Sequence, residues 1–213
     1  AWAKKGSIQM LATGSVDTTF QNYNVKAQLQ TQNFNVGGLL ANPELGRLSM
    51  NLNLTASQTP RQSLRADVKG QVNSLQYHRQ NYNNIPFTAY YNAAKMGAWI
   101  KADLPAGKFE AKADMTQDRI PKIDIDMSVE KLQVDRFIDS LQWKNPLLSF
   151  ELKGNIIGLD PAKIQGDVIV ENFVFSRDSL SFIPGKIELK AGFTDESRKF
   201  ITLNSSLLNA SIE

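Results

Sequence analysis

Residues 66–77 of this chain read ADVKGQVNSLQY, and the spacing of apolar side chains in this stretch decides the fold. Val68 and Val72 lie on even positions, whereas Leu75 and Tyr77 lie on odd positions. Alternation of apolar and polar residues is typical of a β-strand with one apolar face. One extra residue between Val72 and Leu75 returns the apolar side chains to that face, so the change of parity predicts a β-bulge.

The same pattern occurs a second time, 98 residues further along the chain. Residues 166–175 read GDVIVENFVF and repeat the change from even to odd apolar positions. The dipeptide Ile85-Pro86 also returns, as Ile183-Pro184. Recurrence of a strand pattern at a fixed offset predicts a repeat architecture, which presents an extended surface rather than a single pocket.

The alternation extends to the rest of the chain and predicts an all-β fold. No segment keeps apolar residues at helical spacing for three turns, although 36–40 and 134–138 could each form a short helical turn. We expect an elongated, curved (U-shaped), mainly antiparallel sheet with an apolar concave groove, built from two repeats of about 98 residues. The expected parts are the end of a preceding repeat at 1–24, a first β-repeat at 25–121 and a second at 122–213, all within a fragment of a longer protein.

The composition excludes several classes of protein. Hydrophobic residues make up 42% of the 213 residues, which argues against disorder. The net charge is only +3 and the basic residues form no cluster, so nucleic acid is not an expected partner. The chain has no cysteine, which excludes disulfides and cysteine-ligated metals. No apolar run approaches the length of a membrane-spanning helix.

No group of residues has the make-up of an active site. His78 is the only histidine, and it begins a polar stretch, 78–84, that predicts an exposed hairpin loop. Asp124 and Asp126 share one face of a strand, but they alternate with apolar residues, as solvated outer-face residues do. The sequence therefore predicts a protein that is not an enzyme and that uses no metal or cofactor.

The apolar side of the strands has to be covered, because helices are too few to cover it. At about 25 cal/mol per Å², a fully wet apolar wall would cost on the order of tens of kcal/mol. Two arrangements remain open: a dry sandwich, or a trough whose wall is occupied by an apolar ligand. The residues predicted to form this wall, and a lipid groove in the second arrangement, are Leu29, Leu52, Leu54, Val68, Val72, Leu75, Tyr77, Phe87, Tyr91, Met127, Val129, Phe150, Leu152, Val168, Val170, Phe173, Phe175, Ile187 and Leu189.

Two parts of the first repeat resemble the repeats of TamB and AsmA-like proteins, particularly those of Bacteroidetes type. One part is FNVGGLL at 34–40, followed by NPELG at 42–46. The other is the stretch at 66–77, followed by YNNI at 82–85. The resemblance covers the chain from about residue 6 to its end, and it rests on loose repeat signatures rather than on catalytic motifs.

The resemblance implies a large periplasmic protein, anchored in the inner membrane by regions outside this fragment and reaching toward the outer membrane. It implies a U-shaped β-sheet, or β-taco, whose hydrophobic groove carries phospholipid acyl chains between the two membranes. Outer-membrane protein assembly is also attributed to the family, which makes assembly proteins of the outer membrane further expected partners.

Three other functions compete with a lipid groove. A structural or assembly module would use the sheet edge or the polar face to bind a protein, with the apolar side as ordinary core. An outer-membrane barrel would need aromatic girdles at both ends of its strands, which this sequence does not show regularly. An enzyme is disfavoured, because no nucleophile, base and electrophile converge in the pattern.

Overall fold

Most segments of this chain in which apolar and polar residues alternate form strands. The computed structural model describes residues 6–19, 21–78, 80–137, 143–160, 163–194 and 198–212. Its strand content is 73%, and its sheet is antiparallel and not closed, so the predicted all-β antiparallel class is confirmed. The chain divides into two units, Ala1–Leu104 and Pro105–Glu213, each of which is described by itself.

Unit 1 is a meander in which every strand pairs antiparallel with the next strand along the chain. Its helix α1 begins at Val36, where the Asn35 side chain accepts a hydrogen bond of 3.0 Å from the Gly38 N–H. The elements are β1 (Ser7–Val16), β2 (Tyr23–Asn35), α1 (Val36–Leu40), β3 (Leu45–Thr59), β4 (Gln62–Tyr77), β5 (Gln80–Tyr91) and β6 (Lys95–Leu104).

Unit 2 is a second meander with one irregularity. After the fourth of its strands, a short strand and then a longer one pair in succession along the same edge of that fourth strand. The elements are β7 (Gly107–Thr116), β8 (Lys122–Gln133), a 3-10 helix (Val134–Arg136), β9 (Leu147–Ile157), β10 (Gln165–Arg177), β11 (Leu180–Phe182), β12 (Ile187–Phe193), β13 (Lys199–Asn204) and β14 (Asn209–Ile212).

The order of elements from β2 to β4 recurs from β8 to β10, with a helical turn after the first strand in each copy. The structure also confirms the predicted bulges. The pairing of β4 with β3 slips by one residue between Val72 and Ser74, and the pairing of β10 with β9 slips between Glu171 and Val174. The boundaries of the two sequence repeats, 25–121 and 122–213, stay a prediction.

A second pair of bulges shows the repeat at atomic detail. Asn33 in β2 and Lys131 in β8 lie 98 residues apart, and both adopt a left-handed conformation, with φ of 50° and 51°. Each N–H donates to a serine hydroxyl on the neighbouring strand, Asn33 to Ser49 at 2.9 Å and Lys131 to Ser149 at 2.8 Å. The serine satisfies a backbone donor that the bulge takes out of the strand ladder.

The prediction of a long hairpin loop at 78–84 was wrong. β4 continues to Tyr77 and β5 begins at Gln80, so only two residues connect them. His78 has a φ of 47°, as a tight two-residue hairpin turn requires. None of the helices that the structure describes has the length and apolar character that crossing a membrane would require.

Candidate functional site: the apolar faces of the two units

One face of unit 1 is apolar across five strands. Cα partners on neighbouring antiparallel strands point their side chains to the same side, so the register shows which residues share a face. One row runs from Leu29 through Leu52 and Gly70 to Phe87, and continues to Ile100. The parallel rows, which complete what we call the unit 1 apolar face, are Ala27–Leu54–Val68–Ala89–Ala98, Thr31–Met50–Val72–Ile85, Leu48–Leu75–Tyr82 and Ala56–Ala66–Tyr91–Met96.

Thr31 is the polar exception within these rows, and it is 5% exposed. Its hydroxyl donates to the Leu48 carbonyl at 3.3 Å and accepts from the Met50 N–H at 3.0 Å. Both partners lie on β3, where the neighbouring bulge leaves backbone groups without strand partners. The hydroxyl is therefore used inside the sheet and adds no free polar group to the apolar face.

Unit 2 has a corresponding apolar face. One row runs from Ala111 through Met127, Leu152 and Val170 to Ile187. The other rows of the unit 2 apolar face are Ala113–Ile125–Gly154–Val168–Leu189–Leu203, Phe109–Val129–Phe150, Met115–Ile123–Ile156 and Leu132–Leu148–Phe175.

Aromatic rings continue the unit 2 face toward the end of its strands. Phe150 and Phe173 are stacked, with ring centroids 6.5 Å apart. Phe173 meets Phe182 edge to face at 6.2 Å, and Phe175 meets Trp143 at 5.4 Å. These spacings are those of favourable aromatic pairs, so the rings form a connected cluster.

Both faces remain partly open to solvent. The chain exposes 14614 Å², whereas a compact protein of 23.7 kDa exposes about 9,800 Å² and two separate compact halves expose about 11,900 Å². The exposed area is therefore larger than a division into two compact units would account for. Most side chains of the two faces are half-buried, and the buried members of their rows are Ala27, Thr31, Tyr82, Ile85, Val129 and Gly154.

The opposite side of unit 2 is charged. Lys108 pairs with Glu130 at 3.1 Å, and Asp124 accepts a hydrogen bond of 2.6 Å from the Asn155 amide. Lys186 contacts Glu188 at 2.6 Å, and this hydrogen bond lowers the pKa of the Glu188 carboxyl and raises that of the Lys186 amine. Such pairs on an exposed strand surface keep one side of the sheet in water, which leaves the apolar side as the one that needs a cover.

The register places all but two of the predicted groove residues in the rows of the two apolar faces. Tyr77 pairs with Leu45 at the end of β4, and Phe173 lies within the β10 bulge, where it stacks on Phe150. The role of the whole set in binding lipid stays a prediction. Sequence reasoning missed Ile125 and Ile156 as members of the set, although their alternation with polar residues was a sufficient signal.

His78 differs from its expected place in an exposed loop. Its side chain is only 13% exposed, because it lies edge-on against the Tyr77 ring at 4.3 Å and contacts Glu44 at 3.3 Å. The His78 N–H also donates to the Glu44 carbonyl at 3.0 Å. These contacts hold the segment after α1 against the β4–β5 turn, so they give His78 a role in the structure of the turn. Asp124 and Asp126 lie on the exposed side as predicted, and the described residues hold no cluster of metal-ligating side chains.

Comparison with known proteins gives no further guidance, since no family model, curated protein or solved structure matches this chain. The resemblance to TamB and AsmA-like repeats is therefore carried by the quoted segments alone.

Proposed function

We propose that the two apolar faces bind the acyl chains of phospholipids, and that the chain is a non-enzymatic segment of a lipid-transport protein of the periplasm. The observation that supports this proposal is an apolar face that continues over neighbouring strands in both units and stays half-exposed. In the full-length protein, regions outside this segment would provide the inner-membrane anchor, and the segment would shield lipid on its way to the outer membrane.

The physical chemistry of the faces suits such a ligand. Each acyl CH₂ gains about 0.8 kcal/mol on leaving water, so a chain that covers several rows gains a large share of its own hydrophobic free energy. The rows consist of similar aliphatic and aromatic residues, and within them the Thr31 hydroxyl is already bonded to backbone. A chain that slides from row to row therefore meets little change in free energy, as transport along a surface requires.

The first experiment is to purify the 213-residue chain, extract it with organic solvent and identify bound phospholipid by mass spectrometry. Val72→Asp and Val170→Asp place a charge in the middle of each apolar face. They are expected to abolish lipid recovery while the far-ultraviolet circular dichroism keeps its strand signal, because half-exposed positions can hydrate a carboxylate.

The matched control is Gln71→Asp, which introduces the same charge one residue away on the exposed side of the same strand. It is expected to retain lipid. If the chain carries no phospholipid, or if Val72→Asp unfolds the protein as a buried unpaired charge would, the faces are ordinary core and the proposal fails.

An assembly module is the second candidate, and one observation favours it. Among the described strands, β1 pairs only with β2, and it carries Met10 and Leu11 at 71% and 62% exposure. An apolar strand with a free edge can add a strand from another protein. Photo-crosslinkers at the outward edge of β1 that capture outer-membrane assembly proteins, in a chain that yields no lipid, would favour this function.

A further inference from the structure

Two connections of unit 2 expose large apolar side chains at the same end of the strands. The end of β10 is followed by β11, which leads into β12, and the β13–β14 hairpin turns at this end as well. The two connections touch, because the Ser206 hydroxyl donates to the Pro184 carbonyl. Their apolar residues are 51–67% exposed and together form what we call the rim: Leu180, Phe182, Ile183, Leu207 and Leu208.

The turn that carries two of the rim residues has three of its backbone N–H groups paired internally. The Ser205 N–H donates to the Leu208 carbonyl at 3.0 Å. The Ser205 hydroxyl accepts from the N–H groups of Leu207 and Leu208 at 3.2 and 3.0 Å. A backbone group that enters a hydrocarbon layer without a partner costs several kcal/mol, so each of these internal pairs lowers the cost of placing the turn at a lipid surface.

Other turns use the same pairing but carry different tips. The Asn92 side chain accepts from the N–H groups of Ala94 and Lys95, and the Asp17 carboxylate accepts from those of Thr19 and Gln21. Ala93, Ala94 and Lys95 at the tip of the first turn are small or charged, and Thr18 and Thr19 in the second are polar, as is usual for hairpins in water. The turn of Ser205 differs because it displays two adjacent leucines, Leu207 and Leu208, whose side chains are more than half exposed. Adjacent exposed leucines of this kind are typical of a surface that contacts a membrane or another protein.

The rim is continuous with the unit 2 apolar face. Phe182 contacts Phe173, which stacks on Phe150 in the middle rows of the face. Beside this path, the Arg177 guanidinium lies 5.5 Å from the centre of the Trp143 ring. A tryptophan and a long basic side chain next to exposed leucines is the combination found where proteins meet the interface of a bilayer.

We propose that the rim is the place where unit 2 docks on the surface of a lipid bilayer. The leucines and Phe182 enter the boundary between head groups and acyl chains, while Trp143 and Arg177 lie at the level of the head groups. An acyl chain that leaves the bilayer there meets Phe173 and then the rows of the face. The inference rests on the proposed lipid-binding function, and it names the point of entry, which that function leaves open.

The test is sedimentation of the 213-residue chain with vesicles of phosphatidylethanolamine and phosphatidylglycerol. The variant is Leu207→Ser combined with Leu208→Ser, which changes two exposed side chains of the turn. The control is Ile120→Ser combined with Leu159→Ser, which removes two leucine-sized side chains of 62% and 61% exposure at the opposite end of the strands in the same unit.

The rim variant is expected to bind vesicles at least about tenfold more weakly than the unmodified chain, while the control binds normally. The proposal is overturned if the unmodified chain does not sediment with vesicles, or if rim and control variants lose binding equally. It is also overturned if the rim variant only converts a dimer into a monomer and leaves vesicle binding unchanged, since the rim would then bind a second copy.

Extraction of phospholipid from the same preparations separates this proposal from the proposed function. If a rim variant has lost vesicle binding but still carries the lipid acquired during expression, its apolar face still binds lipid. The lost interaction is then docking on the vesicle, which supports the rim as the docking element. If the chain binds vesicles through the rim but never yields phospholipid, with or without Val170→Asp, docking at the rim is supported and the lipid-binding function of the apolar faces is refuted.

Discussion

A methyl group added at Gly70 and one added at Gly154 should have opposite effects on stability. Both glycines lie on an apolar face in the interior of a strand, and neither has a positive φ. At Gly70 the new Cβ would overlap the tip of the Phe87 ring, which lies across the glycine. At Gly154 it would meet Val168 at 3.4 Å and Ile125 at 3.8 Å, which are ordinary van der Waals distances.

The magnitudes follow from these contacts. Gly154→Ala restricts the unfolded chain and adds apolar contact without overlap, so we expect a gain of about 0.4–1 kcal/mol in the free energy of unfolding. Gly70→Ala brings the same gain, but it displaces the Phe87 ring from its packed position, which costs about 1–3 kcal/mol. The expected net result is a loss of about 0.5–2 kcal/mol, with the sign opposite to that of Gly154→Ala.

Urea unfolding of the two variants measures this difference. The transition midpoint should rise for Gly154→Ala and fall for Gly70→Ala, with unchanged m-values. In Gly70→Ala combined with Phe87→Ala, the cost of the first change should largely disappear, because the ring that it displaces is gone. Midpoints that move in the same direction for both glycines, or additive effects in the double variant, would refute the view that Phe87 packs over Gly70.

Three further predictions concern hydrogen bonds. Ser49→Ala and Ser149→Ala each remove the acceptor for a bulge N–H, so each should cost about 0.5–1.5 kcal/mol in urea unfolding and the two costs should add, whereas coupling would contradict independent bulges. Thr31→Val should cost about 1–3 kcal/mol because a buried β3 N–H loses its partner, whereas Thr31→Ser should retain most of the stability; equal losses would assign the effect to packing. The lowered pKa of Glu188 stabilises the fold above its ordinary value of 4.5, and this contribution is lost as the pH falls through the folded value. The melting temperatures of the unmodified chain and Glu188→Gln should therefore differ slightly at neutral pH and converge in acid, and a gap that persists in acid would assign the difference to another cause.

The sequence predicts the strands and their bulges because both depend on local periodicity. The change of parity between Val72 and Leu75 is visible in the sequence, since side chains alternate strictly between the two faces of a strand. The serine that completes the second type of bulge is not visible in this way. Ser49 and Ser149 occupy positions that read as ordinary outer-face polar residues, and only the register shows that each faces a left-handed residue on the next strand.

Tertiary contacts decided the features that the sequence did not reveal. A polar stretch such as 78–84 reads as a loop, but its residues 80–83 pair in succession with β4, and Tyr82 is 5% exposed beside Leu75. His78 is largely covered by Tyr77 and Glu44, which no local pattern foretells. Periodicity also identifies the residues that share an apolar face without telling what covers that face, which is why a dry sandwich and an open trough were equally compatible with the sequence.

Within each unit, the partner of nearly every strand is the strand that was synthesised just before or just after it. Nearly all strand pairs therefore join segments that are close in the sequence, and closing the loop between them costs little conformational entropy at each step. Such a chain can assemble hairpin by hairpin from its first residues onward, without waiting for its far end. A polypeptide that is threaded through a narrow translocation channel could thus begin to acquire its final form while its later segments are still in transit.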